Sequence, residues 1–158
     1  MQYNAADKYR RMLRAYGVLE RISTDNGNSI SNTDARDAAE DFFNQCYHFK
    51  DWIKKDTSVR VDQDVEEFIN SSTAMQLAAD NCNSLKHAGL DRRSRSGKEI
   101  ERVNTHMKLD ITSRGFVASS RLELTIGGQS YDAFKLATEC VRAWDDYLRK
   151  NQVSFPEP

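Results

Sequence analysis

The stretch ARDAAEDFFNQCYHFKDWI, residues 35–53, decides the fold of this chain. Its apolar side chains recur at alternating steps of three and four, the spacing of an amphipathic α-helix with one wide apolar stripe. The stripe contains Ala35, Ala39, Phe42, Cys46, Phe49 and Ile53 and is widened by Phe43 and Tyr47. We therefore predict a central helix, capped by Asn32 or Thr33 and ending at about Lys55.

The same periodicity predicts four further helices around the central one. They are expected at residues 3–22, 61–69, 72–88 and 132–150. Gly89 is well placed to end the fourth helix as a C-cap, because glycine adopts the left-handed conformation without strain. The last helix has a broad apolar face, so it must pack on the earlier ones.

After Gly97 the periodicity changes from helical to two, which indicates strands. The apolar or Thr positions Val103, Thr105, Met107, Leu109 and Ile111 alternate with polar residues. A second alternation, residues 122–126, runs into Gly127-Gly128, a dipeptide suited to a tight hairpin turn. We predict an antiparallel ribbon at about residues 100–131, whose edges are covered by the bundle or by a second chain.

The fold class is therefore predicted as mainly α (α+β), a bundle of four to five helices with a β-ribbon inserted before the C-terminal helix. With 158 residues, of which 39% are hydrophobic, the chain can bury one sizeable core. Residues 1–151 are expected to form a single domain. Residues 152–158 contain both prolines and few anchors, so they are predicted to fray.

The composition narrows the class of protein. A net charge of -1 argues against a general nucleic-acid binder but leaves room for a local basic patch. No apolar run approaches the roughly 20 residues that span a bilayer, and the N-terminal sequence lacks the apolar core of a signal peptide. The three separated cysteines fit buried free thiols. We expect a cytoplasmic protein with no membrane partner.

The fourth and second helices carry the candidate catalytic residues. Asp80, Asn83 and His87 lie three and four residues apart, which predicts one polar face with a carboxylate, an amide and an imidazole. The flank of the central helix adds His48, with Trp52 one turn later. Imidazole titrates nearest to neutrality and serves as a general acid or base. We expect the two helices to bring His48 and His87 into one cleft.

A basic run, RRSRSGK at residues 92–98, follows the fourth helix. Arginine forks match phosphate oxygens, so the run is either a phosphate-binding loop or a solvated connector. The candidate binding residues are Asp80, Lys86, Arg92, Arg93, Arg95, Lys98 and Trp52. His48, Asp80 and His87 offer metal donors, but they lack the close spacing of a zinc site, so no metal and no cofactor is predicted.

The segment Cys82-Asn83-Ser84-Leu85-Lys86-His87 resembles a degenerate copy of the HEPN superfamily motif. In that motif an Arg is followed by a polar residue, and four to six residues separate the Arg from a His. The resemblance covers about residues 35–90 and the last helix. It implies a helical bundle that dimerises with the motif at the interface, and metal-independent RNA cleavage in which Asn83 and His87 carry the polar and histidine roles.

The chain departs from this motif at its Arg. The residues at the allowed spacings are Asp80, Asn81 and Cys82, none of which is basic. Without a guanidinium the motif lacks the group that stabilises negative charge on the phosphate, unless Lys86 or an Arg of the following loop substitutes.

Three functions remain open. The first is a non-catalytic HEPN-like module of a bacterial or phage defence system, which forms a homodimer and recognises RNA, a nucleotide or a protein partner through the His48/His87 cleft and the basic loop. The second is a metal-independent endoribonuclease that uses His87. The third is a purely structural interaction protein.

Overall fold

The computed structural model describes residues 4–24, 32–86, 95, 100–112, 115–126 and 129–156. Five helices and a three-stranded sheet occupy these ranges. The helices are α1 (Ala5–Thr24), α2 (Asn32–Lys55), α3 (Val65–Ser71), α4 (Thr73–Lys86) and α5 (Ala133–Lys150). The strands are β1 (Ile100–Thr112), β2 (Gly115–Ile126) and β3 (Gln129–Asp132). The predicted α+β class, a helical bundle with a β insertion before the last helix, is confirmed.

Helix α2 is the centre of the bundle, as its apolar pattern predicts. It contacts each of the other four helices. All eight residues of its predicted stripe are buried, from Ala35 to Ile53. Since the stripe is wide, α2 can be enclosed on several sides at once.

The aromatic centre of the core joins α5 to α2 and α3. Trp144 packs edge-on against Phe49, with ring centroids 4.7 Å apart, and its indole N–H donates to the Cys46 carbonyl at 3.1 Å. Phe68 of α3 stacks on Tyr147 at 4.4 Å. These rings are buried, so they carry much of the hydrophobic stabilisation of the bundle.

The sheet has the order β1-β2-β3, and all its strand pairs are antiparallel. Val103 of β1 lies opposite Leu124 of β2. Leu122 and Leu124 are buried, and β2 contacts α1 and α5, so the sheet packs on the bundle. The structure differs from the predicted ribbon by its third strand and by the start of β2 at Gly115, because neither segment alternates regularly in the sequence.

Two helix boundaries differ from the predictions for local reasons. Helix α3 begins at Val65 instead of residue 61, because the Asp64 carboxylate caps it by accepting the N–H groups of Glu66 and Glu67. Helix α5 begins at Ala133, and Asp132 is its N-cap, accepting from the Lys135 N–H at 2.8 Å. The predicted end of the fourth helix and its Gly89 cap lie outside the described residues.

The segment after α5 packs back on the bundle, whereas residues 152–158 were predicted to fray. The Phe155 ring lies 5.5 Å from the Tyr9 ring and 6.2 Å from the Phe49 ring, measured between centroids. The described part of the segment, to Pro156, thus contacts the bundle through an aromatic side chain, and its predicted fraying stays a prediction.

Two further properties concern membranes and thiols. No helix within the described part of the chain has the length and apolarity that crossing a membrane requires. All three cysteines are buried and free, as predicted.

Candidate functional site

A continuous polar strip on α2 faces α4 and α3. Its side chains follow one another along the helix at Asn44, Tyr47, His48, Lys50, Asp51 and Lys54. Because these positions fall within about half of the helix circumference, they form one surface. The strip meets two sets of partners, which we call the thiol–imidazole cluster (Asn44, His48, Asp51, Cys82) and the Glu66 cluster (Tyr47, Lys50, Lys54, Glu66, Arg95).

The thiol–imidazole cluster is built around His48. Its Nδ1 lies 3.0 Å from Asp51 Oδ2, and its Nε2 lies 3.6 Å from Cys82 Sγ. The Cys82 sulfur also lies 3.5 Å from Asn44 Oδ1. An ionised carboxylate only accepts hydrogen bonds, so Asp51 favours the tautomer with the proton on Nδ1. The Nε2 lone pair then faces the thiol.

Helix α1 adds a lysine to the edge of this cluster. The Lys8 ammonium donates to Gln45 Oε1 at 2.5 Å, and Gln45 in turn donates to Asp41 at 2.9 Å. Burial, and then the like charge of Arg11, lower the pKa of Lys8, while the carboxylates of Asp41 and Asp51 oppose that shift. Gln45 is buried, and these two bonds satisfy its side-chain amide.

In the Glu66 cluster, three cations converge on one carboxylate. Lys50 and Lys54 donate to Glu66 Oε1 at 2.7 and 2.6 Å, and the Arg95 guanidinium donates to Oε2 at 3.0 Å. Burial raises the pKa of Glu66, but the hydrogen bonds from Lys50 and Lys54 outweigh it and lower that pKa to about 2. Glu66 is therefore ionised throughout the neutral range.

Tyr47 is the member of the Glu66 cluster that also contacts the thiol–imidazole cluster. Its ring centroid is 4.4 Å from the Lys50 ammonium and 5.3 Å from the His48 ring. Burial lowers the pKa of Lys50, but hydrogen bonds with Glu66 and Tyr47 outweigh it, so the pKa is raised overall. The ammonium is thus held in its charged form against an aromatic face.

Arg95 of the basic run reaches the Glu66 cluster because its backbone is anchored to α4. Its N–H donates to Asp80 Oδ1 at 2.7 Å, and its guanidinium donates to Asn70 Oδ1 at 2.8 Å. Asp80 was predicted to share a polar face with Asn83, and the structure buries it, with only 1% of the residue exposed. The bond from Arg95 compensates for the burial of that carboxylate.

The other predicted residues divide into two groups. Asn83 is half-buried and follows Cys82 directly, and Trp52 is half-buried against the core. The backbone of Lys86 ends α4, and its side chain lies outside the described residues. His87, Arg92, Arg93 and Lys98 also lie outside them. The predicted meeting of His48 with His87 thus stays a prediction.

Several residues of the site were missed by sequence reasoning. The i,i+3 spacing of His48 and Asp51 and the i,i+4 spacing of Lys50 and Lys54 were visible signals. Cys82 was interpreted only as a core thiol. No local pattern points to Glu66, because its partners are distant in sequence.

Outside the site, a groove of about 540 Å³ lies between the start of α1, the α2–α3 connection and the C-terminal segment. Its lining includes Arg10, Asp56 and Arg60 but none of the predicted site residues. The described residues contain no group of three or more His, Cys, Asp or Glu side chains arranged to hold a metal ion.

The fold and the site define a mainly helical bundle with an inserted antiparallel sheet and a polar α2 surface. Comparison of the chain with protein-family models, curated proteins and solved structures found no match. Its function is therefore inferred from the geometry of the two clusters.

Proposed function

We propose that the chain is a non-catalytic, HEPN-like binding module that recognises the phosphate groups of RNA. The observation that supports this proposal is the convergence of Lys50, Lys54 and Arg95 on the single carboxylate of Glu66. Within the Glu66 cluster, three positive charges meet the single negative charge of Glu66. This local surplus makes the Glu66 cluster attractive to a second anion.

Two of the three cations remain accessible to such an anion. The side chain of Lys54 is 44% exposed and that of Arg95 is 28% exposed. The guanidinium offers a planar fork that matches phosphate oxygens, and the ammonium acts as a mobile point charge. Because Glu66 holds both groups in place, less side-chain entropy is lost when the ligand binds.

RNA is preferred to a small phosphate compound because of the HEPN resemblance, which implies an RNA ligand. Basic side chains that follow a single strand bind it through its backbone phosphates. Trp52 is half-buried on α2 but lies two positions from Lys50 and from Lys54, so its ring is on a different face of the helix and is not part of the proposed surface.

The proposal includes a homodimer in the cytoplasm. Strand β1 forms an edge of the sheet, and an edge strand is a template for pairing with a second copy. The three free thiols suit a reducing compartment. A role in bacterial or phage defence follows only from the HEPN resemblance.

RNA binding is tested by fluorescence anisotropy with a labelled single-stranded RNA of mixed sequence and the full chain. Lys54→Gln removes one phosphate contact, so binding should weaken and the slope of log K against log salt should fall by roughly 0.7. Lys135→Gln on α5 has the same change in charge and is exposed, so it serves as the matched control. It should bind like the wild type.

Competition with three unlabelled ligands, and a gel that measures RNA length, complete the test. Unlabelled RNA should displace the probe, whereas ATP or inorganic phosphate at the same concentration should not. Equal loss of affinity in the Lys54 and Lys135 variants would overturn the proposed site, and displacement by ATP would favour a nucleotide ligand. Incubation of the RNA with the protein in EDTA should leave its length unchanged. Cleavage that disappears in His87→Ala would instead establish the ribonuclease alternative.

A further inference from the structure

The three thiols of the chain lie in two different environments. Cys82 is 5% exposed, whereas Cys46 and Cys140 are 0% exposed. The Cys140 thiol donates to the Ala74 carbonyl at 3.5 Å, and its interaction with the neighbouring Cys46 thiol together with burial raises the pKa of Cys140 well above its ordinary value. Neither of these two thiols is suited to reaction with a solute.

Cys82 instead faces a base that is itself oriented. His48 Nε2 lies 3.6 Å from the sulfur, and Asp51 holds the opposite ring nitrogen at 3.0 Å. This is the spatial arrangement that activates cysteine for attack on an electrophile: a thiol beside a base, and a carboxylate that orients the base. The side chains of His48 and Asp51 are 34% and 41% exposed, so the base is in contact with solvent.

We propose that Cys82, His48 and Asp51 form a nucleophilic thiol site that reacts with hydrogen peroxide. This site is independent of the proposed RNA surface. Cys82 is only 5% exposed as a residue, which favours a small, uncharged electrophile over bulky acyl or alkyl donors. Hydrogen peroxide is such an electrophile, and it accepts and donates the hydrogen bonds that His48 and Asn44 offer.

The reaction balances without any further reagent. The thiol proton passes to His48 Nε2 as a sulfur lone pair attacks one peroxide oxygen. An S–O bond forms, the O–O bond breaks, and the leaving hydroxide takes the proton from the imidazolium to become water. Sulfur is oxidised to the sulfenic acid and the peroxide oxygens are reduced.

The first experiment needs no variant. The native chain at neutral pH is treated with peroxide and a dimedone probe, and labelling of each cysteine is followed by mass spectrometry. The same measurement on the chain unfolded in guanidinium chloride gives the rate of each thiol without its neighbours. Native Cys82 should react roughly tenfold faster than unfolded Cys82, because a positioned base accelerates proton transfer. A lower rate for Cys82 in the native chain than in the unfolded chain would overturn the proposal. This comparison uses no variant, so a variant that fails to fold does not affect it.

Variants then test whether the labelling rate of Cys82 depends on the His48 base or on the exposure of the thiol to solvent. His48→Gln should reduce the labelling rate of native Cys82 by roughly tenfold or more. Asp51→Asn should also reduce it, and Asp51→Glu should restore it if the carboxylate positions the imidazole. Asp146→Asn removes a carboxylate from another i,i+3 pair, on α5, and is the matched control. Equal rates for His48→Gln and the wild type, with both folded by circular dichroism, would overturn the role of the base.

Discussion

The backbone N–H of Arg95 donates to Oδ1 of Asp80 at 2.7 Å, across 15 positions of sequence. This bond holds a residue of the basic run against α4, from where its guanidinium reaches Glu66 of α3. The carboxylate that we predicted as a candidate binding residue is thus the buried anchor of a cation at the surface. The pair explains how Arg95 reaches the carboxylate that Lys50 and Lys54 also contact.

We expect Asp80→Ala to destabilise the chain. The substitution leaves the N–H of Arg95 without this acceptor and removes a buried hydrogen bond to a charged group, at a cost of about 1.5–3 kcal/mol in the free energy of unfolding. Urea denaturation followed by circular dichroism measures it. Asp80→Asn keeps an oxygen at the same position, so its loss should be smaller. Equal losses for the two variants would contradict the role of the acceptor.

Glu66 makes stability depend on acidity in a defined window. Its pKa is about 2 in the folded chain against an ordinary value of 4.5, so its contribution is fully present above pH 4.5 and is lost as the pH falls toward 2. The difference in free energy of unfolding between wild type and Glu66→Gln should therefore be constant at neutral pH and shrink between those two values. Glu67→Gln, at an exposed neighbour on α3, is the matched control.

Urea denaturation, repeated at several pH values, measures this difference in the free energy of unfolding. A difference between wild type and Glu66→Gln that stays constant down to the acidic limit would show that the cations do not hold the carboxylate in its ionised form.

Trp144 is expected to be the most sensitive core position. Trp144→Ala leaves a cavity among Phe49, Phe68 and Tyr147 and should lower the free energy of unfolding by about 3–5 kcal/mol. Trp52→Ala, at a half-buried tryptophan of α2, should cost clearly less. Thermal unfolding of both variants gives the comparison, and an equal loss at the two positions would argue against the central place of Trp144.

The C-terminal segment should contribute to stability through Phe155. Phe155→Ala removes a half-buried ring from Tyr9 and Phe49 and is expected to cost about 1–2 kcal/mol, a part of the value for full burial of an aromatic side chain. Urea denaturation measures it. Ser154→Ala, at the preceding exposed residue, should have a small effect. A frayed segment would make both variants indistinguishable from the wild type.

The helices of this chain are largely predictable because their signals are local. The stripe from Ala35 to Ile53 predicts α2 and its burial, and the change of period after Gly97 predicts the strands. Periodicity predicts roughly where a helix lies, and the capping residue sets where it begins. Asp64 caps α3, which therefore begins four residues later than predicted. Such signals depend on neighbouring residues, so they can be read from the sequence alone.

The site could be predicted only in part. His48 and Arg95 were both identified as candidates, but their partners were not, because a contact between side chains depends on how two elements cross. Cys82 meets His48 across 34 positions and Glu66 meets Arg95 across 29, distances over which periodicity carries no information.

By itself, then, the sequence determined the helical segments, the β insertion and the apolar faces, since each follows from the repeat of an α-helix or a strand. Only the tertiary structure decided that Asp80 is buried, that Phe155 is anchored and that the thiol faces the imidazole. Those outcomes depend on hydrogen bonds and ring contacts between elements far apart in the chain, which form only when the bundle closes.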